Sequence, residues 1–183
     1  PKDSFVFGCF NNSYKITPNI FNCWMRILKK SENSVLWLLI SSNIGRDNLK
    51  KESIKNGVDP KRIIFADRVS VEEHLKRIGL IDLFLDTYPY NAHTTAREAI
   101  KMSVPILTLI GESFASRVAS SLLKNVSLEE LIVNNIHDYA RVAIKIANDK
   151  KKLRTLKNHL SKSDNTKKFF NNEKFTKDLE EIY

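Results

Sequence analysis

Two threonines stand where an apolar strand gives way to a helix, and together they could hold a phosphate. The stretch from Asp82 to Glu98 reads DLFLDTYPYNAHTTARE, an apolar strand, then a polar turn, then His93, Thr94 and Thr95. Unbroken apolar residues predict a strand buried on both faces, as in a parallel α/β sheet. At the carboxyl edge of such a sheet, threonine hydroxyls, free backbone N–H groups and the helix dipole favour an anion. The alternative is that Thr94 or Thr95 only caps the helix.

A lysine follows the first apolar run in a similar way. The residues from Phe5 to Phe10 predict a buried strand, a polar turn follows, and Pro18 opens a helix with apolar residues at helical spacing. Lys15 therefore lies beyond the carboxyl end of a strand, which is the edge where open α/β sheets bind ligands. It is a candidate partner for the same anion, and the alternative is an ordinary surface lysine.

A third candidate site lies on a short helix. The segment from Val71 to Arg77 predicts a helix, with Ser70 as its N-cap. His74 and Arg77 are three residues apart and so share one face of that helix. They could bind a ligand together, although surface polar residues of this kind more often do not.

Alternating strands and helices must position these candidates. The predicted strands are residues 5–10, 35–40, 62–65, 83–85 and 104–109, and the helices between them begin near Pro18, Asn48, Val71, His93 and Phe114. This spacing is typical of βαβ crossovers and predicts a doubly wound parallel sheet. After Asn125 the pattern predicts helices near 136–148, 151–160 and 174–183. We therefore predict an α/β domain over residues 1–125 and a helical C-terminal extension, packed on it, over 126–183.

Length and composition fit one packed domain. The chain has 183 residues, 42% of them hydrophobic. It contains no run of about 18 apolar residues, and its first residues already have a strand pattern, so we expect neither a transmembrane helix nor a signal peptide. We expect a cytoplasmic protein without a membrane partner. Cys9 and Cys23 have no CxxC spacing or histidine partners, so we predict two core thiols rather than a zinc site or a disulfide.

The chain is basic, but its charge is dispersed. Its 30 lysines and arginines against 21 acidic residues give a net charge of +9. Such an excess is compatible with nucleic acid, with an anionic cofactor or with neither. No basic stripe with interleaved aromatic residues occurs, so we favour a solvated surface and no nucleic-acid partner. A nucleic-acid-binding α/β domain is an alternative that rests on the charge alone.

The chain as a whole resembles one family. It is similar to the C-terminal half of the catalytic region of the O-linked N-acetylglucosamine transferase family, which includes SPINDLY-like protein O-glycosyltransferases. The resemblance is carried, in order and with similar spacing, by FNNSYKITP, SVLWLL, RIIF, EEHLKR, DLFLDTYPYNAHTT, GESFASRVASSLL and FTKDLEEIY. It implies a GT-B fold, in which two Rossmann-like domains face each other across a cleft. This chain corresponds to the second domain, which binds the nucleotide sugar.

The resemblance also implies roles for individual residues. It assigns Lys15 and the Thr94–Thr95 turn to the donor diphosphate, with Tyr14 beside them. It assigns His93 to the diphosphate and sugar side, and it marks Lys15 and His93 as the catalytic residues. The family inverts the anomeric centre by direct attack of a serine or threonine hydroxyl. No DxD triplet occurs in the chain, so we expect no metal and no other cofactor.

Base recognition is implied as well. The resemblance assigns His74 to stacking on uracil and Arg77 to the region of the base. The full predicted set of nucleotide-sugar contacts is Asn12, Tyr14, Lys15, Val69, His74, Arg77, His93, Thr94, Thr95 and Glu98.

Several positions depart from the family pattern. The family commonly has Gln at Asn12, a ribose-binding Lys at Val71 and a ribose-binding Asp at Glu98. A valine side chain makes no hydrogen bond, so ribose recognition is expected to differ. Lys101 and Ser103 replace the usual Trp and Gly, which indicates a divergent member.

The resemblance further implies partners outside these residues. They are a first catalytic domain, tetratricopeptide repeats that recruit substrates, and protein acceptors with Ser or Thr. The expected donor is UDP-N-acetylglucosamine, and His93 favours it over GDP-fucose, the donor of related O-fucosyltransferases. A nucleotide-sugar-binding domain without transferase activity is the other alternative. We expect the fragment alone to be inactive in transfer.

Overall fold

The part of the chain described by the computed structural model, residues 3–162, 166 and 171–182, contains a sheet of six parallel strands. The strands are β1 Phe5–Cys9, β2 Ser34–Leu39, β3 Ile63–Ala66, β4 Leu83–Leu85, β5 Ile106–Leu109 and β6 Ile132–Val133. Their order in the sheet is β3-β2-β1-β4-β5-β6, which is that of a Rossmann fold. The predicted doubly wound sheet is confirmed. The strand order reverses between β1 and β4, where such sheets open a crevice for ligands.

Helices flank the sheet. They are α1 Pro18–Lys30, α2 Asn43–Lys55, α3 Val71–Ile78, α4 Thr94–Lys101, α5 Val118–Asn125, α6 Ile136–Ala147, α7 Lys150–Ser161 and α8 Asn172–Glu180. Helix α1 packs against α6, while α4 packs against both α3 and α5. Because parallel crossovers are right-handed as a rule and the strand order reverses at β1, we expect these two groups on opposite faces of the sheet.

Local signals explain most of the element boundaries. Pro18 opens α1 as predicted, and the Thr17 hydroxyl accepts a hydrogen bond from the Ile20 N–H. Ser70 caps α3 in a reciprocal capping box with Glu73, also as predicted. Helix α2 begins at Asn43 rather than near Asn48, because the Ser42 hydroxyl accepts the Gly45 N–H at 3.2 Å and so starts the helix earlier.

Two elements differ from the sequence prediction. The single helix expected from Phe114 is divided into a short 3-10 turn, Phe114–Ser116, and then α5. A sixth strand, β6, was not predicted, although it pairs with Thr108 and Leu109 of β5. A segment of two residues is too short to show a strand pattern in the sequence, so β6 is defined by its pairing with β5 and not by its local sequence. The sheet thus continues beyond residue 125.

The core lies between the sheet and its helices. Phe7, Trp24, Phe84 and Tyr139 are fully buried and come from β1, α1, β4 and α6. Cys9 and Cys23 are buried free thiols, as predicted. Burial strongly raises the pKa of the Cys9 thiol.

The last long helix is tied to the amino-terminal edge of the sheet. The Lys157 ammonium on α7 donates to the Asp82 carboxylate at 2.9 Å and to the Ile81 carbonyl at 3.0 Å. The other Asp82 oxygen accepts the Val6 N–H at 2.9 Å. The candidate ligand edge is the opposite one and stays open.

Of the terminal helix predicted near 174–183, the structure describes Asn172–Glu180, and Tyr183 lies outside the described residues.

The helices offer no membrane-spanning segment. Over the described ranges, every helix is too short or too polar to cross a bilayer.

Candidate functional site

Lys15 lies at the switch point, against the loop that follows β4. It ends a 3-10 turn, Ser13–Lys15, in which the Lys15 N–H donates to the Asn12 carbonyl at 3.0 Å. Its ammonium donates to the Asn91 carbonyl at 3.0 Å and lies 3.7 Å from the centroid of the Tyr90 ring. Partial burial lowers the pKa of Lys15, and the charge of Asp86 opposes that shift. The structure therefore brings Lys15 to the same loop that leads into α4.

The first turn of α4 faces this edge. His93 occupies the N-cap position, and its side chain makes no capping hydrogen bond within the described part of the chain. Thr94 and Thr95 are the first two helical residues, so the interpretation that one of them is the N-cap is wrong. Thr94 is exposed and Thr95 is half-buried. The first N–H groups of a helix lack intrahelical acceptors and favour an anion.

A row of aromatic rings borders the lysine. Tyr14 meets Tyr90 at 6.2 Å between ring centroids, Tyr90 meets His93 at 5.2 Å, and His93 meets Phe114 at 6.0 Å. Tyr14 is 70% exposed and Phe114 is 81% exposed, so the row is open to a ligand. The Nε2 atom of His93 is buried and has no hydrogen-bond partner among the described residues. Phe114 was not among the residues predicted for the site.

His74, Arg77 and Glu98 form a second group. The Arg77 guanidinium donates to Nδ1 of His74, at 3.1 Å from Nε and 2.7 Å from Nη2, and it donates to the Asp67 carbonyl at 2.5 Å. Nε2 of His74 lies 3.5 Å from a Glu98 carboxylate oxygen. Burial is the main cause that lowers the pKa of His74, Arg77 adds to it, and Glu98 opposes it.

Both His74 and Arg77 also contact Phe10, at the end of β1. The His74 and Phe10 ring centroids are 5.6 Å apart, and the Arg77 guanidinium lies 4.9 Å from the Phe10 ring. The side chain of His74 is 17% exposed. The predicted shared face of His74 and Arg77 is thus a direct contact, and part of the imidazole remains open at the sheet edge.

The remaining predicted residues lie at the rim. Asn12 is exposed, and its carbonyl closes the turn that carries Lys15. Val69 is 46% exposed and Val71 is 73% exposed, on either side of the Ser70 cap. Exposed valines at this position are compatible with a ligand contact, but they supply no side-chain hydrogen bond.

Sequence reasoning missed Asp86, which lies beneath the site. It directly follows β4 and is fully buried. Its carboxylate accepts hydrogen bonds from the Thr87 N–H (2.8 Å), the Ala92 N–H (2.6 Å), the Thr108 hydroxyl (2.7 Å) and the Asn11 amide (3.3 Å). Burial raises the pKa of Asp86 to about 7, although all four donors oppose the shift. One signal was available, because an acid that ends a fully apolar strand is unusual.

Asn91 joins the site to the loop after β5. Its amide donates to the Thr87 carbonyl at 2.8 Å and to the Leu109 carbonyl at 3.4 Å, and its N–H donates to the Ala115 carbonyl at 2.9 Å. The loop is close-packed there, because a Cβ added to Gly111 would lie 2.5 Å from the Ser116 hydroxyl. The loops after β1, β4 and β5 therefore form one connected surface.

This surface has the groups needed to hold a phosphorylated ligand. It offers one ammonium, two hydroxyls and a helix N-terminus, bordered by aromatic rings and an imidazole. Within the described ranges, no group of three or more His, Cys, Asp or Glu side chains is placed to hold a metal ion.

Two known proteins are similar in sequence to this chain over all or nearly all of its length. It is 39% identical over 184 residues to the Arabidopsis thaliana protein named probable UDP-N-acetylglucosamine–peptide N-acetylglucosaminyltransferase SEC, covering 100% of this chain and 19% of that protein. It is 33% identical over 183 residues to the Solanum lycopersicum protein named probable UDP-N-acetylglucosamine–peptide N-acetylglucosaminyltransferase SPINDLY, covering 97% of this chain and 20% of that protein. The chain therefore spans about a fifth of the length of these relatives.

A solved structure shares the fold. A mutant O-GlcNAc transferase of Thermobaculum terrenum superposes with a TM-score of 0.92 at 30% identity, covering 100% of this chain and 38% of that chain. The model of the family described as glycosyl transferase family 41 matches residues 1–179. Since the family match covers nearly the whole chain and the fold agrees with it, the predicted resemblance is confirmed, and the chain belongs to glycosyl transferase family 41.

Proposed function

We propose that this chain is the donor-binding half of an inverting protein O-glycosyltransferase, which transfers N-acetylglucosamine from UDP-N-acetylglucosamine to Ser or Thr of proteins. One observation carries the proposal. The Lys15 ammonium contacts the Asn91 carbonyl, just before the first turn of α4, at the switch point of the sheet. Family membership and the names of the similar proteins support this choice of donor and reaction.

The proposed chemistry is stabilisation of a leaving group. An acceptor hydroxyl attacks the anomeric carbon from the face opposite the diphosphate and releases its proton to water. The sugar–phosphate bond breaks, and UDP leaves with additional negative charge. Lys15, the hydroxyls of Thr94 and Thr95 and the first N–H groups of α4 lie where they can offset that charge. The proposal requires neither a metal ion nor another cofactor.

Lys15 suits this role because its side chain is already held in position before the donor binds. Only one acceptor, the Asn91 carbonyl, takes a hydrogen bond from its ammonium within the described part of the chain. An ammonium has three donors, so the others are available to phosphate oxygens. Because the side chain is partly buried and held by a carbonyl and a ring, little conformational entropy is lost when the donor binds.

The base and the sugar fall on either side of the diphosphate in this proposal. His74, fixed by Arg77 and Phe10, presents the exposed part of its ring to uracil. His93 and the neighbouring ring of Phe114 lie on the other side, next to the position of the sugar. The ribose has Glu98 nearby but no lysine, because Val71 stands in that place.

The complete activity requires more than this chain. The relatives are about five times longer, and we propose that a first catalytic domain and tetratricopeptide repeats supply the acceptor side. The proposed acceptors are proteins, in the cytoplasm. The chain alone is expected to bind donor without transferring the sugar.

Calorimetric titration of the chain with UDP, UDP-N-acetylglucosamine and GDP tests the proposal. We expect micromolar affinity for the two uridine ligands, about −7 to −8 kcal/mol, and much weaker binding of GDP. A preference for GDP would instead indicate a GDP-sugar such as GDP-fucose. A folded chain that binds none of the three would contradict the proposal. Sugar transfer by the full-length protein then separates an enzyme from a binding domain.

A further inference from the structure

A single buried carboxylate links the three loops that build the site. Asp86 Oδ1 accepts hydrogen bonds from Ala92 N–H and Thr87 N–H in the loop after β4, and from the Asn11 side chain after β1. Its Oδ2 accepts the hydroxyl of Thr108, on β5. The carboxylate therefore fixes the positions of the ends of β1, β4 and β5 relative to one another.

These bonds extend directly to the groups proposed to bind the diphosphate. Asn11 precedes the turn that carries Lys15, and its amide also donates to the Thr87 hydroxyl at 2.8 Å. The Thr87 hydroxyl donates in turn to the Tyr90 carbonyl at 2.6 Å. Ala92, bound to Asp86, is next to His93, where α4 begins. Residues that are hydrogen-bonded to Asp86 therefore lie close to both Lys15 and the N-terminus of α4.

Asp86 lies below an anion site, where an ionised carboxyl repels an anion and a protonated one does not attract it, so direct attraction does not explain Asp86. The charged or titratable groups that face it are Lys15 and Cys9 from the β1 side and Tyr139 from α6. The Tyr139 hydroxyl donates to the Asp86 main-chain carbonyl at 2.8 Å. Lys15 is the one cation in this set and the one member proposed to contact the ligand.

We propose that Asp86 is a positioning residue, which sets the distance between Lys15 and the first turn of α4 so that both contact the donor diphosphate. This inference rests on the proposed function. Asp86 does not touch the ligand, and its effect on binding is transmitted through Lys15.

A double-mutant cycle tests the inference. Thr108→Val removes one donor to Asp86 with little change in size. In the otherwise unchanged chain we expect it to weaken UDP binding by about three- to tenfold, which is the scale of one ordinary hydrogen bond. In a Lys15→Ala background the same substitution should weaken binding less than about twofold, because the residue through which it acts is gone. Thr155→Val, which alters an exposed threonine on α7, is the matched control and should have no effect in either background.

Each outcome decides a separate question. Equal weakening by Thr108→Val in both backgrounds, or no weakening in either, would overturn the positioning role. Absence of UDP binding by the unsubstituted, folded chain would contradict the proposed function itself, and the inference with it. Asp86→Asn provides a second variant, because its amide N–H₂ would replace the oxygen that accepts the Thr108 hydroxyl. It should weaken UDP binding more than Thr108→Val, and unchanged UDP binding by a folded Asp86→Asn chain would also overturn the inference.

Discussion

Nε2 of His74 lies 3.5 Å from the Glu98 carboxylate, so α3 and α4 meet through an imidazole and an acid at the edge of the site. Within the described part of the chain, the hydrogen-bond partners of Nδ1 of His74 are N–H groups of the Arg77 guanidinium. Arginine can only donate, so Nδ1 accepts these hydrogen bonds and carries no proton. The proton of the neutral ring is then on Nε2, directed at Glu98. The resemblance to the family implies an aspartate at this position, and the longer glutamate found here reaches the imidazole of His74.

Glu98→Gln is expected to lower the pKa of His74 further. Burial and Arg77 already lower that pKa, and Glu98 is the group that opposes them. Because the folded state favours neutral His74, stability is lost as pH falls below the ordinary histidine value of about 6.5. An NMR titration of the His74 ring measures the shift. Glu32→Gln, at an exposed acid near the other edge of the sheet, is the control, and equal His74 titrations in both variants would contradict the assignment.

For Asp86 we expect the stability of the chain to depend on pH with the opposite sign. Burial raises its pKa in the folded state to about 7, so between pH 4 and 7 the folded chain holds a proton that the unfolded chain releases. The Asp86 contribution to stability is therefore present at low pH and is lost as pH rises through about 7. Urea unfolding at several pH values should show this loss in the parent chain and not in Asp86→Asn. Parallel stability curves for the two chains would show that Asp86 does not titrate in this range.

Arg62 predicts a stability effect that leaves the site intact. Its guanidinium donates to the carbonyls of Leu28, Ser31 and Ser34 at 2.8, 2.7 and 2.9 Å and so closes the end of α1. We expect Arg62→Ala to lower the free energy of unfolding by about 2 kcal/mol, because it removes three hydrogen bonds from a charged donor to partly buried carbonyls. UDP affinity should not change. Arg154→Ala, at an exposed arginine on α7, should change stability by less than about 0.5 kcal/mol. A similar loss in both variants would refute this role of Arg62.

Phe114 predicts a sugar-specific effect. Its ring is 81% exposed and meets the edge of His93 at 6.0 Å. If it borders the sugar, Phe114→Ala should weaken UDP-N-acetylglucosamine binding about fivefold, or about 1 kcal/mol, and leave UDP binding unchanged. Leu80→Ala, at another exposed apolar side chain, controls for the loss of surface area and should affect neither ligand. Equal weakening of both ligands by Phe114→Ala would place the ring at the nucleotide instead.

The sequence was sufficient where a local signal sets the structure. Apolar runs such as Leu83–Leu85 predicted the buried strands, and Pro18 and Ser70 predicted two helix starts, because each acts on its own neighbours. The short strand β6 was missed because its conformation depends on pairing with β5. The start of α2 was predicted too late in the chain, because the Ser42 cap lies before the residues that show a helical pattern of apolar side chains.

The sequence identified many residues of the site, but it did not reveal the contacts that they make with one another. Lys15, His93 and Thr94 all stand after strands, so topology alone brings them to one edge of the sheet. The contact between His74 and Glu98 and the four hydrogen bonds to Asp86 join segments far apart in the chain. Such contacts depend on how loops and helices pack, which residue spacing does not reveal.

The central claim is that Lys15 and the first turn of α4 form the diphosphate site. The most direct test compares the dissociation constant for UDP of the parent chain with those of Lys15→Ala and Lys51→Ala. Both variants lose one positive charge, but Lys51 is an exposed residue of α2. We predict at least about tenfold weaker binding for Lys15→Ala, or about 1.4 kcal/mol, and less than about twofold for Lys51→Ala. Equal affinities in the two variants would contradict the account.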